Sequence, residues 1–286
     1  MASKPDYLLI GHMTADLTPA GRILGGTVSY AARTAAAFGL KVGVLTSARV
    51  GELLLDHLYD YVDDIVIIPS LETSTFENIY RPDGRQQMIR GVAASLRYAD
   101  IPQSWRNAPL VHFGPLTGEI DPQDMFPLFD RSITMLTAQG MLREWGEDGV
   151  VRFKRWRDAA ALQKLDWLVL SEEDIAPAPE LESEYAQIVD NFVLTRAERG
   201  GTYYANGLPR VEYDTPQVEV IHPTGAGDVF ASALLCSLHL LGGDVKRSLR
   251  VAAMLGAQAV TREGWNGAPT ADEVQAALDA SEEEIL

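Results

Sequence analysis

Val220-Ile221-His222-Pro223-Thr224-Gly225-Ala226-Gly227-Asp228-Val229-Phe230 is the stretch on which the reading of this chain turns. An apolar strand end runs into the start of a helix, with Gly-Ala-Gly at the junction. Two glycines in or beside a first helical turn cost about 1 kcal/mol each relative to alanine, so helix stability does not call for them. They let a ligand approach the backbone, and the unpaired N–H groups of the turn, with the helix dipole behind them, form an anion hole. Asp228 lies in the same turn, where the helix terminus should keep it ionised. A carboxylate there is a poor phosphate ligand but a good acceptor for the proton of an attacking hydroxyl. The pairing predicts phosphoryl transfer: the Gly225, Ala226 and Gly227 amides stabilise the moving phosphoryl and Asp228 deprotonates the alcohol. The alternative is a plain helix start with a dipole-friendly Asp. Thr224 and Gly227, three apart, make no capping box, which weakens that alternative.

Around this stretch the chain alternates. Short apolar runs suit buried strands at Tyr7 to Ile10, Val42 to Leu45, Ile65 to Ile68, Leu110 to Phe113, Thr134 to Thr137, Trp167 to Leu170 and Phe192 to Thr195. Helical patterns lie between most of them, at Ser29 to Phe38, Glu52 to Tyr61, Arg157 to Leu165 and Tyr185 to Asp190. Unalternated strands separated by helices predict an α/β fold with a mainly parallel sheet covered on both faces. The last third is helical: Ala226 to Leu241, Val245 to Thr261 and Ala271 to Ala280, the last opened by a Thr270/Glu273 capping box. Ser74 to Tyr80 and Gln86 to Val92 flank Pro82-Asp83-Gly84 and read as a hairpin, and Leu17 to Leu24 as a further extended piece. These pieces form either a flap over the strand ends, where α/β folds place ligands, or an edge hairpin.

Composition sets limits. The 286 residues carry a formal charge of −16, which argues against nucleic acid or an anionic membrane as partner. The lone Cys236 sits in an apolar helical run and reads as a buried thiol. The five histidines have no zinc spacing, and neither a P-loop nor a dinucleotide-binding glycine pattern is present. No signal peptide and no membrane span is visible, so a cytoplasmic location is expected.

Pro-Thr-Gly-Ala-Gly-Asp-x-Phe at 223–230 resembles the C-terminal signature of the PfkB (ribokinase-like) carbohydrate kinases. Gly11, Asp16 and Gly25-Gly26 resemble that family's sugar-binding region. Phe192 to Gly201 is similar to its nucleotide-binding strand and loop, and Ala259 to Gly264 to its closing segment near the adenine. The resemblance implies a single ribokinase-like domain over 1–286, a Rossmann-type αβα sandwich with a small β-lid formed by about 14–25 and 72–98. It implies ATP with Mg²⁺, Asp228 as base, the Gly225 to Gly227 amides as anion hole, Asp16 with Gly25 and Gly26 on the substrate, and Ser171, Thr195, Gly200 and Thr224 on the nucleotide. It leaves a homodimer through the lid open, as in some relatives.

Three residues depart from the family pattern. His222 stands where the family usually has an Asp that helps hold a monovalent cation, which puts K⁺ activation in doubt. The family's Asn-x-x-Glu reads Ser171-Glu172-Glu173-Asp174, so Asp174 would meet Mg²⁺ through water with a shorter reach. Ala197 replaces a usual Gly. Segments 73–80 and 138–143 resemble a subgroup that includes inositol kinases. Asn78 and Gln139 are candidates to hydrogen-bond a polyol and Arg143 to meet phosphate charge, the alternative for each being a surface polar residue. A sugar or a cyclitol such as myo-inositol is expected as acceptor. A nucleoside is the alternative within the fold, and a non-catalytic ligand sensor is the rival from another class.

Overall fold

The computed structural model describes residues 4–81 and 84–283. Its strands are β1 (Tyr7–Ile10), β2 (Thr14–Thr18), β3 (Gly21–Gly25), β4 (Val42–Arg49), β5 (Asp64–Ser70), β6 (Thr75–Arg81), β7 (Gly84–Gly91), β8 (Leu110–Phe113), β9 (Ile133–Thr137), β10 (Arg143–Glu144), β11 (Arg152–Phe153), β12 (Trp167–Ser171), β13 (Asn191–Thr195), β14 (Gly201–Ala205) and β15 (Leu208–Tyr213). The α-helices are α1 (Thr27–Ala37), α2 (Pro122–Met125), α3 (Ala159–Leu162), α4 (Leu181–Ile188), α5 (Ala226–Leu240), α6 (Val245–Ala259) and α7 (Ala271–Glu283).

Nine strands form one sheet in the order β15-β14-β13-β12-β9-β8-β1-β4-β5. The run from β13 to β5 is parallel, while β14 and β15 pair antiparallel at one edge. Alternate strand residues feed two cores, one on each face. Tyr7 and Leu9 pack with α1, α5, α6 and α7, whereas Leu8 and Ile10 pack with Phe113, Phe126 and Trp105 on the other side. This is the mainly parallel sheet covered on both faces that the unalternated strands predicted. The chain adds strands to one side of β1 first (β4, β5) and to the other side later (β8, β9, β12). The sheet therefore has a switch point beside β1, and loops at the strand C-termini open a crevice there.

α5 packs on α1 and α6 and against β9 and β12 on one face of the sheet. Val229 to Leu238 of α5 are all buried, Cys236 included, which explains an apolar run with no polar face. Among the described residues no helix is long and apolar enough to cross a membrane. Thr270 and Glu273 form the reciprocal capping box at α7: Thr270 N donates to Glu273 at 2.8 Å and Glu273 N to Thr270 Oγ1 at 3.3 Å.

A separate four-stranded sheet, β3-β2-β6-β7, stands off the strand ends as a lid. Leu17 to Leu24, expected as one extended piece, belongs to the tight hairpin β2–β3 over residues 14–25. The 75–91 segment is a second hairpin, and its turn at Pro82-Asp83 lies outside the described residues. Residues 92–98 hold no lid strand. They return to the main body, where Leu96 bridges Ile120. The outer edge of β7 is not open: Ile89 N donates to Gly149 O at 2.8 Å and Val151 N to Gln87 O at 2.9 Å, so the segment joining β10 to β11 is laid along it.

The lid is anchored at its base by polar groups centred on the buried Glu52. The Arg22 guanidinium donates to both oxygens of Glu52, at 3.1 and 2.7 Å, and Thr73 Oγ1 donates to Glu52 at 2.6 Å. Against the cost of burial, these contacts hold the Glu52 carboxyl below its ordinary pKa. The Glu52 to Tyr61 pattern, expected as an α-helix, is a 3-10 turn over Leu53–His57 whose first turn Glu52 caps.

Candidate active site

The segment that opened the reading is not a strand. Among residues 214–224 no strand is present, and Ile221 N and His222 N both donate to Val260 O, at 2.8 and 3.0 Å. The apolar Val220 and Ile221 are more than half exposed instead of pairing in the sheet. The helix start is as expected. Gly225 is the residue before α5, in the left-handed region at φ +89°, and Val229 N returns to its carbonyl at 2.9 Å. The N–H groups of Gly225, Ala226, Gly227 and Asp228 donate to no protein acceptor among the described residues. A Cβ built on Gly227 meets nothing within 4 Å, so no packing demand explains that glycine, and the space above the turn is open. Gly225 has two reasons to be glycine. Its φ is one, and the Tyr30 ring, 2.2 Å from where a Cβ would sit, is the other.

Asp228 projects from the same turn. Its carboxyl was expected to stay ionised beside the helix terminus, and at pH 7 it is mostly so, although less strongly acidic than a free Asp. Desolvation pushes its pKa up to about 6, and a hydrogen bond from Thr27 and the Arg143 charge offset this only partly, while Asp174 and Asp16 add to the rise. Asp16, Arg143 and Asp174, singled out separately in sequence, are thus all neighbours of Asp228 in space. Asp16 lies on β2 with Thr14 Oγ1 donating to it at 3.3 Å. A Cβ on Gly25 would come within 2.5 Å of its carboxylate, so the bare glycine makes room for the acid. Gly26 precedes α1 at φ +89°, and a Cβ there would meet His12 O at 2.8 Å.

Three of the candidates line a cleft of about 220 Å³ together with residues the sequence did not single out. Gln139, Arg143 and Asp174 were expected there, whereas Gln87, Arg152 and Glu173 were not. Asn78 accepts from Gln87 Nε2 at 3.2 Å across β6 and β7, and so stands behind Gln87 instead of lining the cleft itself. Arg143 lies over the Phe76 ring, 5.5 Å from its centre, and Arg152 is paired with Asp148.

Ser171 and Asp174 form a reciprocal capping box. Ser171 Oγ accepts from Glu173 N at 3.3 Å, and Ser171 N donates to Asp174 at 3.1 Å. Gln139 Nε2 donates to the other Asp174 oxygen at 3.1 Å. A carboxylate oxygen accepts twice, so both keep capacity for a water. Among the described residues no three His, Cys, Asp or Glu side chains could together hold a metal ion. Asp174 therefore suits an ion that arrives on phosphate oxygens and keeps its own waters, as Mg²⁺ does. His222 offers a buried Nδ1 with no hydrogen-bond partner among the described residues, a nitrogen where a hard monovalent cation would want oxygen.

Further along the strand ends, Thr195 Oγ1 donates to Leu170 O at 3.3 Å, and Thr224 sits just before the glycine turn. Gly200, at φ +76°, leaves no room for a side chain, since a Cβ would fall 1.8 Å from Tyr213 O. Ala197, in the same loop, is held at φ +49°, where a β-carbon is strained. Ala197→Gly is therefore expected to raise unfolding free energy by about 0.5–1 kcal/mol in urea titrations. An unchanged or lower midpoint would show that the loop carries no strain there.

Comparison with known proteins follows the same line. Residues 148–271 match the pfkB family of carbohydrate kinases. A protein named cytidine kinase, from Thermococcus kodakarensis, is 26% identical over 255 residues, covering 80% of this chain and 87% of that one. Two solved structures share the fold. One is a pyrophosphate-dependent kinase of the ribokinase family, complexed with a pyrophosphate analogue and myo-inositol (TM-score 0.78, 21% identity, 94% and 99% of the chains covered). The other is the Arabidopsis thaliana ribokinase with ribose and ATP (TM-score 0.75, 17% identity, 96% and 99% covered).

Proposed function

We propose that this chain, whose residues 148–271 match the pfkB family of carbohydrate kinases and whose fold is that of a ribokinase-family kinase, transfers the γ-phosphoryl group of ATP to a hydroxyl of a small sugar or cyclitol. The observation that carries this reading is a single helical turn with two complementary halves: four backbone amides free of protein acceptors and, beside them, a carboxyl with a pKa near 6. Free amides aimed at open space stabilise negative charge as it develops on a transferring group. A carboxylate that titrates just below neutrality accepts a proton efficiently near pH 7.

In this scheme the acceptor lies between the lid and the strand ends. Asp16 accepts hydrogen bonds from its hydroxyls, and Gln139 reaches it from the cleft wall. Asp228 orients the attacking hydroxyl and takes its proton. The amides of Gly225 to Asp228 hold the phosphoryl oxygens, and Arg143 adds positive potential above them. The donor extends along the β12 and β13 ends past Ser171, Thr195, Thr224 and Gly200. Mg²⁺ bound to the donor would neutralise phosphate charge, and Asp174 would hold one of its waters. A non-catalytic sensor has no use for a tuned base beside an empty-handed row of amides. The cytidine kinase relative supports a nucleoside as the second reading of the acceptor.

The test is turnover with ribose, fructose, myo-inositol, adenosine and cytidine, read as ADP release with ATP as donor and as orthophosphate release with pyrophosphate as donor. Turnover with ATP and a sugar or cyclitol is the expected result. Turnover with nucleosides alone moves the acceptor class. Tight binding of one compound without any turnover replaces the kinase by a sensor.

A further inference from the structure

Tyr30 plays no part in the scheme above, yet it lies at its centre. It is on α1, one turn past Gly26, and its side chain is 2% exposed. Its ring is wedged behind the glycine turn, with the hydroxyl-bearing carbon 2.5 Å from the place a Gly225 Cβ would occupy. Asp228 and Asp16, the two carboxylates assigned to the acceptor, both act on its phenol. Among the described residues the hydroxyl has no hydrogen-bond partner.

Burial first, then the charges of Asp228 and Asp16, push the Tyr30 pKa well up. The phenol is therefore protonated throughout any working pH range and has one hydrogen to donate. A largely buried donor with no protein acceptor is left for something that enters the site.

We infer that Tyr30 is an acceptor-binding and specificity-determining residue: its hydroxyl donates to an oxygen of the bound acceptor that in turn donates to Asp16 or Asp228. Only some groups fit such a position. A carboxylate or phosphate accepts but cannot donate to the Asp, and an ammonium donates but cannot accept from Tyr30. A hydroxyl does both at once. The site thereby selects an alcohol at that point, and the ring sets the depth to which it enters. This deepens the assignment of the acceptor site and rests on it.

Tyr30→Phe keeps the ring behind Gly225 and removes only the hydroxyl. The acceptor identified in the panel above is titrated calorimetrically without donor, and KM values are taken with ATP. The expected result is acceptor binding weakened about 10-fold, with the KM for ATP within about twofold and the melting temperature unchanged. Deoxy analogues then locate the contact, because the analogue that lacks the touched hydroxyl binds Tyr30→Phe and wild type alike. Unchanged acceptor affinity overturns the assignment. So does a fall in melting temperature with ATP and acceptor weakened together, which would make Tyr30 a packing residue. Wild-type protein that binds a polyol without turnover overturns the kinase scheme and still judges Tyr30 by binding. Wild-type protein that binds none of the panel removes both.

Discussion

Replacing Asp228 by Asn lowers kcat by about three orders of magnitude and leaves the KM for ATP within about twofold, as expected for loss of a general base. Asn is close in shape and can still meet Thr27, so the amides beside it keep their geometry. What it cannot do is take a proton. The same group sets the pH profile. With its pKa near 6, Asp228 is about nine-tenths ionised at pH 7, and kcat/KM should fall about tenfold per unit once the pH drops below 6. That acid limb should be absent from the residual activity of the variant.

Stability moves the other way. A carboxyl whose folded pKa lies above its unfolded value of 3.8 costs folding free energy while it is ionised. The Asn variant should therefore melt higher than wild type above pH 6, and the difference should vanish below about pH 4, where the wild-type carboxyl is neutral in both states. Lost turnover in a protein that melts higher cannot be blamed on unfolding. Unchanged turnover, or an acid limb far below pH 6, would remove Asp228 as the base.

Asp16→Ala should raise the KM for the acceptor about 100-fold and leave that for ATP within about threefold. An ionised carboxylate accepting from two neighbouring hydroxyls makes two charge-assisted hydrogen bonds, each worth about 1.5–3 kcal/mol, only part of which water restores. Asp16 is also the group that Gly25 makes room for, so Gly25→Ala should copy the defect by displacing the carboxylate. Initial rates over a grid of both substrates separate the outcomes. Equal weakening of acceptor and ATP would count against a role for Asp16 on the acceptor side.

The parallel core was legible because buried strands announce themselves as continuous apolar runs, and Tyr7 to Ile10 or Trp167 to Leu170 need no neighbour to be read. The glycine turn was legible because its residues make no sense as helix formers. What escaped depended on partners distant in sequence. The β14–β15 hairpin was missed although Asn206-Gly207, both at positive φ (51° and 80°), is the turn dipeptide of a tight hairpin. Its strands lie at the sheet edge and alternate weakly. Val220 and Ile221 misled because β-branched residues favour strands, but no strand edge is there to receive them. The pKa of Asp228 could not be read from its helix position, since it is set by burial in the folded chain and by Thr27, Arg143, Asp174 and Asp16, all distant in sequence. Tyr30, Gln87 and Arg152 carry no motif, and only folding brings Tyr30 behind the glycine turn and the other two to the cleft.

The segment laid along β7 bears on how the molecule behaves in a crowd. An unpaired strand edge is where one chain can seed the stacking of others, and a sheet that stands clear of its own helices is the element most exposed to that hazard. Here residues 149–151 already hold the far margin. The near margin, β3, is only five residues long and bears Arg22, whose charge is tied back to Glu52. Neither side of this small sheet offers a long apolar ribbon for a newcomer.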